Sequence, residues 1–238
     1  MAGRTLAILG LMQYLSERLL ATETARSRGE GEGQREVANQ QRQRILAATE
    51  RLMAERGCAG TTIEGIAKQA RVSSVTFYDH FASKEEAFVA SFERAVEEGR
   101  ALLADEVPPD LPWPEQVREG LQALLGTIAA NPERAKMVLV ESQRGARALL
   151  GRHEAVLDSA VPKLREGRRL AAPEELPETL EEATVAGVAW LLRERLESTG
   201  AEGIEELLSR LLDVVLGPYL GSAEALRLTV ARGEGSGG

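Results

Sequence analysis

Residues 61–84 read TTIEGIAKQARVSSVTFYDHFASK, and this stretch decides the fold of the first third of the chain. Apolar residues recur at helical spacing over residues 63–70 and predict a short helix, which ends where Arg71 and Val72 break the pattern. Ser73 is a candidate N-cap for a very short second helix that runs through about Tyr78. A short helix, a tight turn and a second short helix, in this order, predict a helix-turn-helix unit.

The first short helix has two candidate capping arrangements. Thr61 with Glu64 three residues on fits a capping box, in which each side chain bonds the backbone N–H of the other residue. Thr62 could serve as the N-cap instead. Both arrangements begin the helix within one residue of Ile63.

The second short helix is the element expected to contact a nucleic acid. In a helix-turn-helix this helix enters the DNA major groove, which is about 12 Å wide and admits one helix. Phe77 and Phe81, four residues apart, would face inward and hold the helix to its neighbours. The exposed side chains should then be small, polar hydrogen-bonding groups, as are Ser73, Ser74, Thr76 and Tyr78.

A third helix follows the second without a long loop. Ser83 is its candidate N-cap, and the helical pattern runs to about Glu106, before Pro108-Pro109. Lys84 stands in the first turn, where its ammonium and the helix N-terminus can both approach a phosphate.

The stretch Ile45–Phe88 resembles the N-terminal DNA-binding domain of TetR-family transcriptional regulators. The segments that carry the resemblance are ILAA (45–48), Gly57, TTI (61–63), IA (66–67), VSSVTFYDHF (72–81) and SKE (83–85). Beyond these residues the likeness is one of architecture, a second domain made only of helices. The resemblance implies that this second domain forms a homodimer and encloses a small-molecule pocket.

The resemblance also implies which side chains contact DNA. Thr62 would contact a backbone phosphate, while Ser74 and Thr76 would face bases or nearby phosphates. Ser73 belongs to the same surface, although capping its own helix is the more common role for a serine in that position. The candidate DNA-binding residues are Thr62, Ser73, Ser74, Thr76, Tyr78, His80 and Lys84.

Three of these residues are expected at the edges of the contact surface. Tyr78 and His80 would hold phosphates through the phenol and the imidazole, and Lys84 would anchor the far edge of the half-site. The alternatives are that the Tyr78 ring covers the core and that His80 packs locally. Val75 and Gly65 depart from the family pattern, which often has glycine and a charged residue, respectively, at these positions.

The remainder of the chain is predicted to be helical throughout. Apolar spacing predicts helices over residues 37–57, from Pro114 to about Asn131, from Pro132 onward, over 146–170 with a bend at Pro162, and over 180–199 and 204–220. No stretch alternates as a strand would, so the fold class is all-α. The expected domains are an N-terminal extension, partly helical and then a flexible linker (1–36), a three-helix helix-turn-helix domain (37–90), a helical effector-binding and dimerisation domain (91–231) and a flexible tail (232–238).

Helices from about residue 92 to residue 170 should line the effector pocket. No ordered pair of charges stands out there, so a hydrophobic or amphipathic effector is expected. The candidate walls, all of which could equally be ordinary core, are Trp113, Leu121, Leu124, Leu125, Ile128, Met137 and Leu149.

The last two predicted helices are apolar on more than one face, which predicts burial on two sides. One side can pack on its own domain and the other on a second copy, which gives a four-helix interface with two-fold symmetry. The candidate interface residues, with a plain core role as the alternative, are Val188, Leu191, Leu192, Leu211 and Val215.

The charge is divided unevenly along the chain. The 238 residues carry a net charge of −8, which on its own argues against a DNA-binding protein. Between Arg35 and Lys84, however, eight basic and five acidic residues give +3, so the remainder carries −11. The acidic total therefore belongs to the second domain and leaves one modest basic face for DNA.

The composition argues against catalytic and metal chemistry. One cysteine, Cys58, and two histidines provide no disulfide framework and little material for a metal site or an acid–base relay. We therefore expect no catalytic residues, no metal and no cofactor. The composition suits a reducing, cytosolic compartment, so we expect a cytoplasmic protein. No apolar run reaches the length that spans a bilayer, so we expect no membrane partner.

These features favour a sequence-specific transcriptional regulator. The expected mechanism is repression, with a small hydrophobic effector releasing the homodimer from a palindromic operator in double-stranded DNA. The alternative is a DNA-bound protein whose C-terminal domain docks a protein partner. A packed C-terminal domain with an exposed apolar patch would favour that alternative.

Overall fold

The computed structural model describes residues 33–144, 147–171 and 176–221, and within these residues every regular element is helical. The expected all-α class is therefore confirmed. In chain order the first elements are α1 (33–60), α2 (Ile63–Ala70), α3 (Ser74–His80), α4 (Lys84–Glu106), α5 (Trp113–Ala130) and α6 (Pro132–Lys136). They are followed by a π-helical turn (Met137–Glu141), α7 (Ser142–Arg144), α8 (Arg147–Asp158), α9 (Val161–Arg165), a first 3-10 turn (Glu166–Leu170), α10 (Leu180–Ser198), a second 3-10 turn (Ile204–Leu207) and α11 (Leu208–Leu220).

Two predicted boundaries differ from the observed ones. α1 begins at residue 33, inside the stretch predicted to be a linker, and the Gln40 amide donates to Glu36 Oε1 one turn away. The predicted helix over 146–170 is divided into α8, α9 and a 3-10 turn, and Pro162 lies in the first turn of α9, where proline is tolerated. Residues 1–32 and 232–238, where an extension and a tail were expected, lie outside the described residues.

The start of α2 settles the choice of cap. Thr62 is the N-cap, and its hydroxyl accepts from the backbone N–H of Gly65 at 3.1 Å. The capping box on Thr61 and Glu64 is wrong, because the Thr61 hydroxyl is buried and donates to the Gly57 carbonyl at 2.8 Å.

The first core cluster joins the helix-turn-helix to the rest of the molecule. α4 is continuous across the expected domain boundary at residues 90 and 91, so its side chains enter the same core as those of α1, α2 and α3. Met137 from the π-helical turn and Leu149 from α8 complete this core and are fully buried. The other large side chains in the cluster are Ile45, Leu46, Leu52, Met53, Ile66, Phe77, Phe81, Phe88 and Phe92.

The candidate pocket walls lie in packed core. Leu125 and Ile128 are buried in a second cluster, and Leu121 and Leu124 pack against it. Trp113 packs against a third cluster formed with α11. Because Met137 and Leu149 belong to the first cluster, the seven residues are spread over three cores and do not surround one described cavity.

The candidate dimer residues also need correction. Leu191, Leu192, Leu211 and Val215 are 6, 2, 0 and 3% exposed in the single chain, so they are core and cannot form the surface of an interface. Val188 is half-buried and packs against the second and third clusters. The physical reason is that α5 and both 3-10 turns surround α11, so its apolar circumference is covered within one chain.

A buried ion pair ties the first 3-10 turn to the two last helices. The Glu181 carboxylate is 0% exposed and accepts two bonds from the Arg168 guanidinium, at 2.7 and 2.8 Å. The Tyr219 hydroxyl donates to the same carboxylate at 3.0 Å, and the Trp113 ring lies edge-on to the Tyr219 ring. The Arg168 hydrogen bonds hold the pKa of Glu181 below its ordinary value, whereas burial raises the pKa of Tyr219.

The lowered pKa of Glu181 predicts a defined pH dependence of stability. A carboxyl with a depressed folded-state pKa stabilises the protein above its unfolded pKa, about 4.3, and this contribution is lost as the pH falls through the folded value. We expect Glu181→Gln to lower Tm by about 4–8 °C at pH 7. The variant should also lose less of its Tm than the unmodified chain between about pH 6 and pH 3, as measured by calorimetry.

Glu182→Gln is the matched control. Glu182 is the neighbouring carboxylate, and its ion pair with Arg165 has side chains 46 and 55% exposed. An exposed pair contributes little to stability, so this variant should keep both the Tm and its pH dependence. Identical pH profiles for Glu181→Gln and the unmodified chain would contradict the assignment.

Candidate DNA interface

The turn between α2 and α3 is built from local hydrogen bonds. Ser73 is the N-cap of α3, and its hydroxyl accepts from the Thr76 N–H at 2.9 Å. α2 ends at Arg71, whose N–H bonds the Lys68 carbonyl and whose φ of 57° is left-handed. These features turn the chain sharply and set the angle between the two helices, as a helix-turn-helix requires.

Two phenylalanines fix the rotation of α3 about its own axis. Phe77 and Phe81 are 0 and 2% exposed, and their ring centroids are 5.8 Å apart. The Arg42 guanidinium of α1 lies 5.1 Å from the centre of the Phe81 ring and covers it on the outer side. Because this face of α3 is held in the core, the opposite face has one orientation toward solvent.

The solvent-facing side of this unit holds most of the predicted contact residues. Thr62, Ser73, Ser74 and Tyr78 are exposed, and Tyr78 is 56% exposed although its ring meets that of Phe77 edge-on. The alternative in which the Tyr78 ring serves only to cover the core therefore does not fit. Thr76 is half-buried, and its hydroxyl is hydrogen-bonded to that of Ser73 at 2.9 Å.

The other two predicted contact residues also bind the protein itself. His80 is half-buried, and its Nε2 lies 3.3 Å from Gln41 Oε1 of α1. Lys84 Nζ donates to the carbonyls of Cys58 and Thr61, at 3.3 and 3.1 Å. An ammonium has three N–H donors, so Lys84 closes the end of α1 and keeps one donor for a further partner.

Exposed basic side chains surround the predicted contact surface. Arg44 and Arg56 of α1, Lys68 of α2 and Arg71 of the turn are all exposed, and none of them has an ion pair within the described residues. Arg51, by contrast, is paired with Glu55. The net positive charge predicted for residues 35–84 is therefore available at the surface of the helix-turn-helix.

Sequence patterns did not reveal a charge network that joins the helix-turn-helix to the following helices. Glu50 of α1 is 7% exposed and accepts bonds from Arg94 of α4, at 2.6 and 3.1 Å, and from Arg134 of α6, at 3.4 Å. Arg134 also bonds Glu98 of α4. Glu50 lies on the apolar stripe of α1. A charged residue at a core position needs a partner of opposite charge, and this was the one sequence signal of the network.

The π-helical turn contacts the other end of α1. The Cys58 thiol lies 3.8 Å from the Glu141 carbonyl, and a Cβ on Gly57 would stand 2.9 Å from Glu141 Oε2. Gly57 has φ of 71°, so glycine is favoured there by conformation as well as by space. α1 is thus held by the C-terminal part of the chain at Glu50 and again at Gly57.

These elements define the chain as a helix-turn-helix unit attached to an all-helical second part. Residues 45–90 match the model of the family described as bacterial regulatory proteins, tetR family. Two curated relatives in Bacillus subtilis, both described as uncharacterized HTH-type transcriptional regulators, share 33% identity over 81 residues (YhgD) and 40% over 55 residues (YerO). The matches take in 34 and 23% of this chain and 42 and 19% of those proteins, so the chain spans less than half the length of either relative.

Solved structures extend the likeness to the second part of the molecule. A tetR-family regulator from Rhodococcus RHA1 superposes with a TM-score of 0.62 at 18% identity, over 76% of this chain and 97% of that one. A TetR-family regulator from Marinobacter aquaeolei VT8 superposes with a TM-score of 0.58 at 22% identity, over 76% of this chain and 98% of that one. Residues 45–90 thus resemble the matching part of tetR-family regulators, and the chain shares the fold of the solved members over 76% of its length.

The described residues contain no helix that is long and apolar enough to cross a membrane. They also contain no group of three or more His, Cys, Asp or Glu side chains placed to hold a metal ion.

The left-handed backbone at Arg71 leads to a stability prediction. In this conformation a residue with a Cβ has a conformational energy roughly 1 kcal/mol or more above its ordinary value, whereas glycine does not. We expect Arg71→Gly to raise the free energy of unfolding by about 1 kcal/mol, measured by urea denaturation. Arg71→Ala removes the same charge but keeps the Cβ, so it should bring no gain, and equal stabilisation by both variants would contradict the explanation.

Proposed function

We propose that the chain is a DNA-binding transcriptional repressor that acts as a homodimer in the cytoplasm. The observation that carries this proposal is the outer face of α3, which Phe77 and Phe81 hold in a single orientation. That face and its edges present the residues that would contact DNA, which are Thr62, Ser73, Ser74, Thr76, Tyr78, His80 and Lys84. A rigid, polar and exposed helix next to basic side chains has the properties that major-groove binding requires.

The dimer surface in this proposal differs from the one that the sequence suggested. On α10 the exposed side is a helical stripe of Ala183, Ala186, Gly187 and Trp190, of which Trp190 is 52% exposed. Small residues let two helices approach closely, and an exposed tryptophan is typical of the centre of an interface. With the exposed side of α11, which carries Pro218 and the half-buried Val214, two copies would form a four-helix contact with two-fold symmetry.

Two-fold symmetry leads to an expectation for the DNA. Each copy would place one α3 in the major groove, so the operator should be palindromic. The half-sites should lie about 34–36 Å apart, or at a multiple of that distance.

We place the effector in a groove between α4 and α8, with a volume of about 260 Å³. Its apolar lining is Phe92, Val96, Ala155 and Val156. The charged side chains along it are Glu93, Glu97, Arg100 and Arg152, and Arg152 is paired with Glu93 at 2.8 Å. An amphipathic molecule suits this lining, which combines an apolar floor with charges of both signs. Because α4 also carries Lys84 and the first core, an effector that binds one arrangement of α4 more tightly would shift the dimer between DNA-binding states.

A protein partner instead of a small effector is the second candidate. The packing of the predicted pocket walls into three core clusters favours it, because no enclosed cavity is described among them. The exposed apolar Trp190 could then be covered by the partner in place of a second copy. The oligomeric state in solution separates these two uses of the surface.

The DNA proposal is tested by selection from a random-sequence duplex library with the full chain. We expect a palindrome to be enriched and to be retarded in a mobility-shift assay. Tyr78→Phe removes one hydroxyl that would donate to a phosphate, so it should weaken binding to that duplex by about tenfold. Leu102→Ala alters an exposed apolar residue of α4 and should leave affinity unchanged.

The same duplex tests the effector. Medium- and long-chain fatty acids serve as anionic amphipathic probes, and an effective one should release the unmodified chain from the duplex. Ala155→Trp would fill the groove from an exposed position and should abolish the release without weakening DNA binding. If no duplex is enriched, the DNA proposal is wrong; if Ala155→Trp is released as readily as the unmodified chain, the groove is not the site.

The dimer surface is tested by light scattering coupled to size-exclusion chromatography. Trp190→Glu places a charge at the centre of the proposed interface, so it should convert a dimer to a monomer and reduce operator affinity by at least about tenfold. Leu102→Lys is the matched control, since it adds a charge at another exposed apolar position. A Trp190→Glu variant that remains dimeric would contradict the assignment.

A further inference from the structure

Val75 is the most exposed of the large apolar side chains described. It is 72% exposed and lies at the second position of α3, between Ser74 and Thr76. It stands two positions before Phe77, which is about 200° of rotation around a helix, so burial of Phe77 forces Val75 outward. Its exposure is thus a consequence of the way in which α3 is anchored.

The fold itself gives no reason for a valine in this position. An exposed β-branched residue near the start of a short helix has a lower helix propensity than alanine, and at 72% exposure its side chain buries little surface to offset that cost. The Ser73 and Thr76 hydroxyls beside it bond each other, at 2.9 Å, so part of their hydrogen-bonding capacity is already used within the protein. The outer face of α3 therefore combines one strongly exposed apolar residue with the exposed polar side chains of Ser74 and Tyr78.

The apolar feature that a base pair presents in the major groove is the C5-methyl group of thymine. A valine side chain offers two methyl groups in essentially one rotamer, so holding it against a base costs little conformational entropy. Asp79, one turn further along the same face, is exposed and acidic, which keeps this part of α3 away from a close phosphate contact. Val75 is consequently aimed at base edges and not at the DNA backbone.

We propose that Val75 is a specificity-determining residue that packs against a thymine methyl group and so requires an A·T pair at one position of each half-site. This inference rests on the proposed function, since it assumes that α3 lies in the major groove. It adds a sequence requirement that the polar contact residues do not supply.

The experiment replaces thymidine by deoxyuridine, one position at a time in both half-sites, in the duplex enriched by the full chain. Deoxyuridine lacks only the C5-methyl group and keeps the base pairing. Burial of one methyl group corresponds to about fourfold in affinity, so at one symmetric position the double replacement should weaken binding by about fifteenfold. Fluorescence anisotropy of a labelled duplex measures the change.

Val75→Ala then assigns the methyl contact to this residue. The variant should bind the thymidine and deoxyuridine duplexes with equal affinity at that position, close to the affinity of the unmodified chain for the deoxyuridine duplex. Leu102→Ala, with an exposed apolar residue about 27 Å further along α4 than Lys84, should keep the full sensitivity. Alanine is the better helix former, so circular dichroism should show that Val75→Ala retains its helical content.

The outcomes separate the two proposals. Enrichment of a duplex in which no thymine is sensitive to loss of its methyl group overturns the inference and leaves the DNA-binding proposal standing. The same holds if Val75→Ala retains the sensitivity of the unmodified chain. Failure to enrich any duplex overturns the proposed function itself, and the inference falls with it.

Discussion

The packing of Phe77 and Phe81 against α1 and α4 is the contact on which the rest of the structure depends. α3 has only seven residues and would not be stable as an isolated helix, so its conformation comes from this burial. Burial of the two rings also determines which side chains of α3 face outward, and these include Val75 and Tyr78. The orientation of the outer face of α3 is thus fixed by hydrophobic packing on the opposite face of the helix.

The core that holds α3 extends beyond the helix-turn-helix. Met137 and Leu149 reach into it from the C-terminal part, and Glu50 is bound by arginines from α4 and α6. A buried carboxylate with several charged donors is costly to separate from them, so these contacts oppose independent motion of the two parts. α8, α1 and α3 therefore contribute to one shared core.

Local signals predicted the helix-turn-helix well, because its caps, turns and aromatic anchors lie within a few residues of one another. Ser73, Ser83 and Phe77 have the predicted roles, and of the two capping choices Thr62 is correct. In the C-terminal part the helices were predicted, but the predicted pocket walls and most predicted dimer residues lie in packed core. Apolar patterning shows that Leu191 and Leu211 are buried, but it does not show whether their own chain or a second copy covers them, and that decision depends on packing over long sequence distances. The exposed Trp190 could be recognised only once the inner faces of α10 were assigned.

The unbroken helix α4 connects the groove to the helix-turn-helix. Its 23 residues correspond to a rod of about 35 Å; the groove residues between Phe92 and Arg100 lie near the middle of this rod, about 18 Å from Lys84 at its start. In the proposed complex, a tilt of α4 by about 5° at the groove would displace Lys84 by about 1.5 Å, close to the rise of one residue along a helix. Under the proposed function, a molecule bound in this groove would thereby change the distance between the α3 helices of two copies.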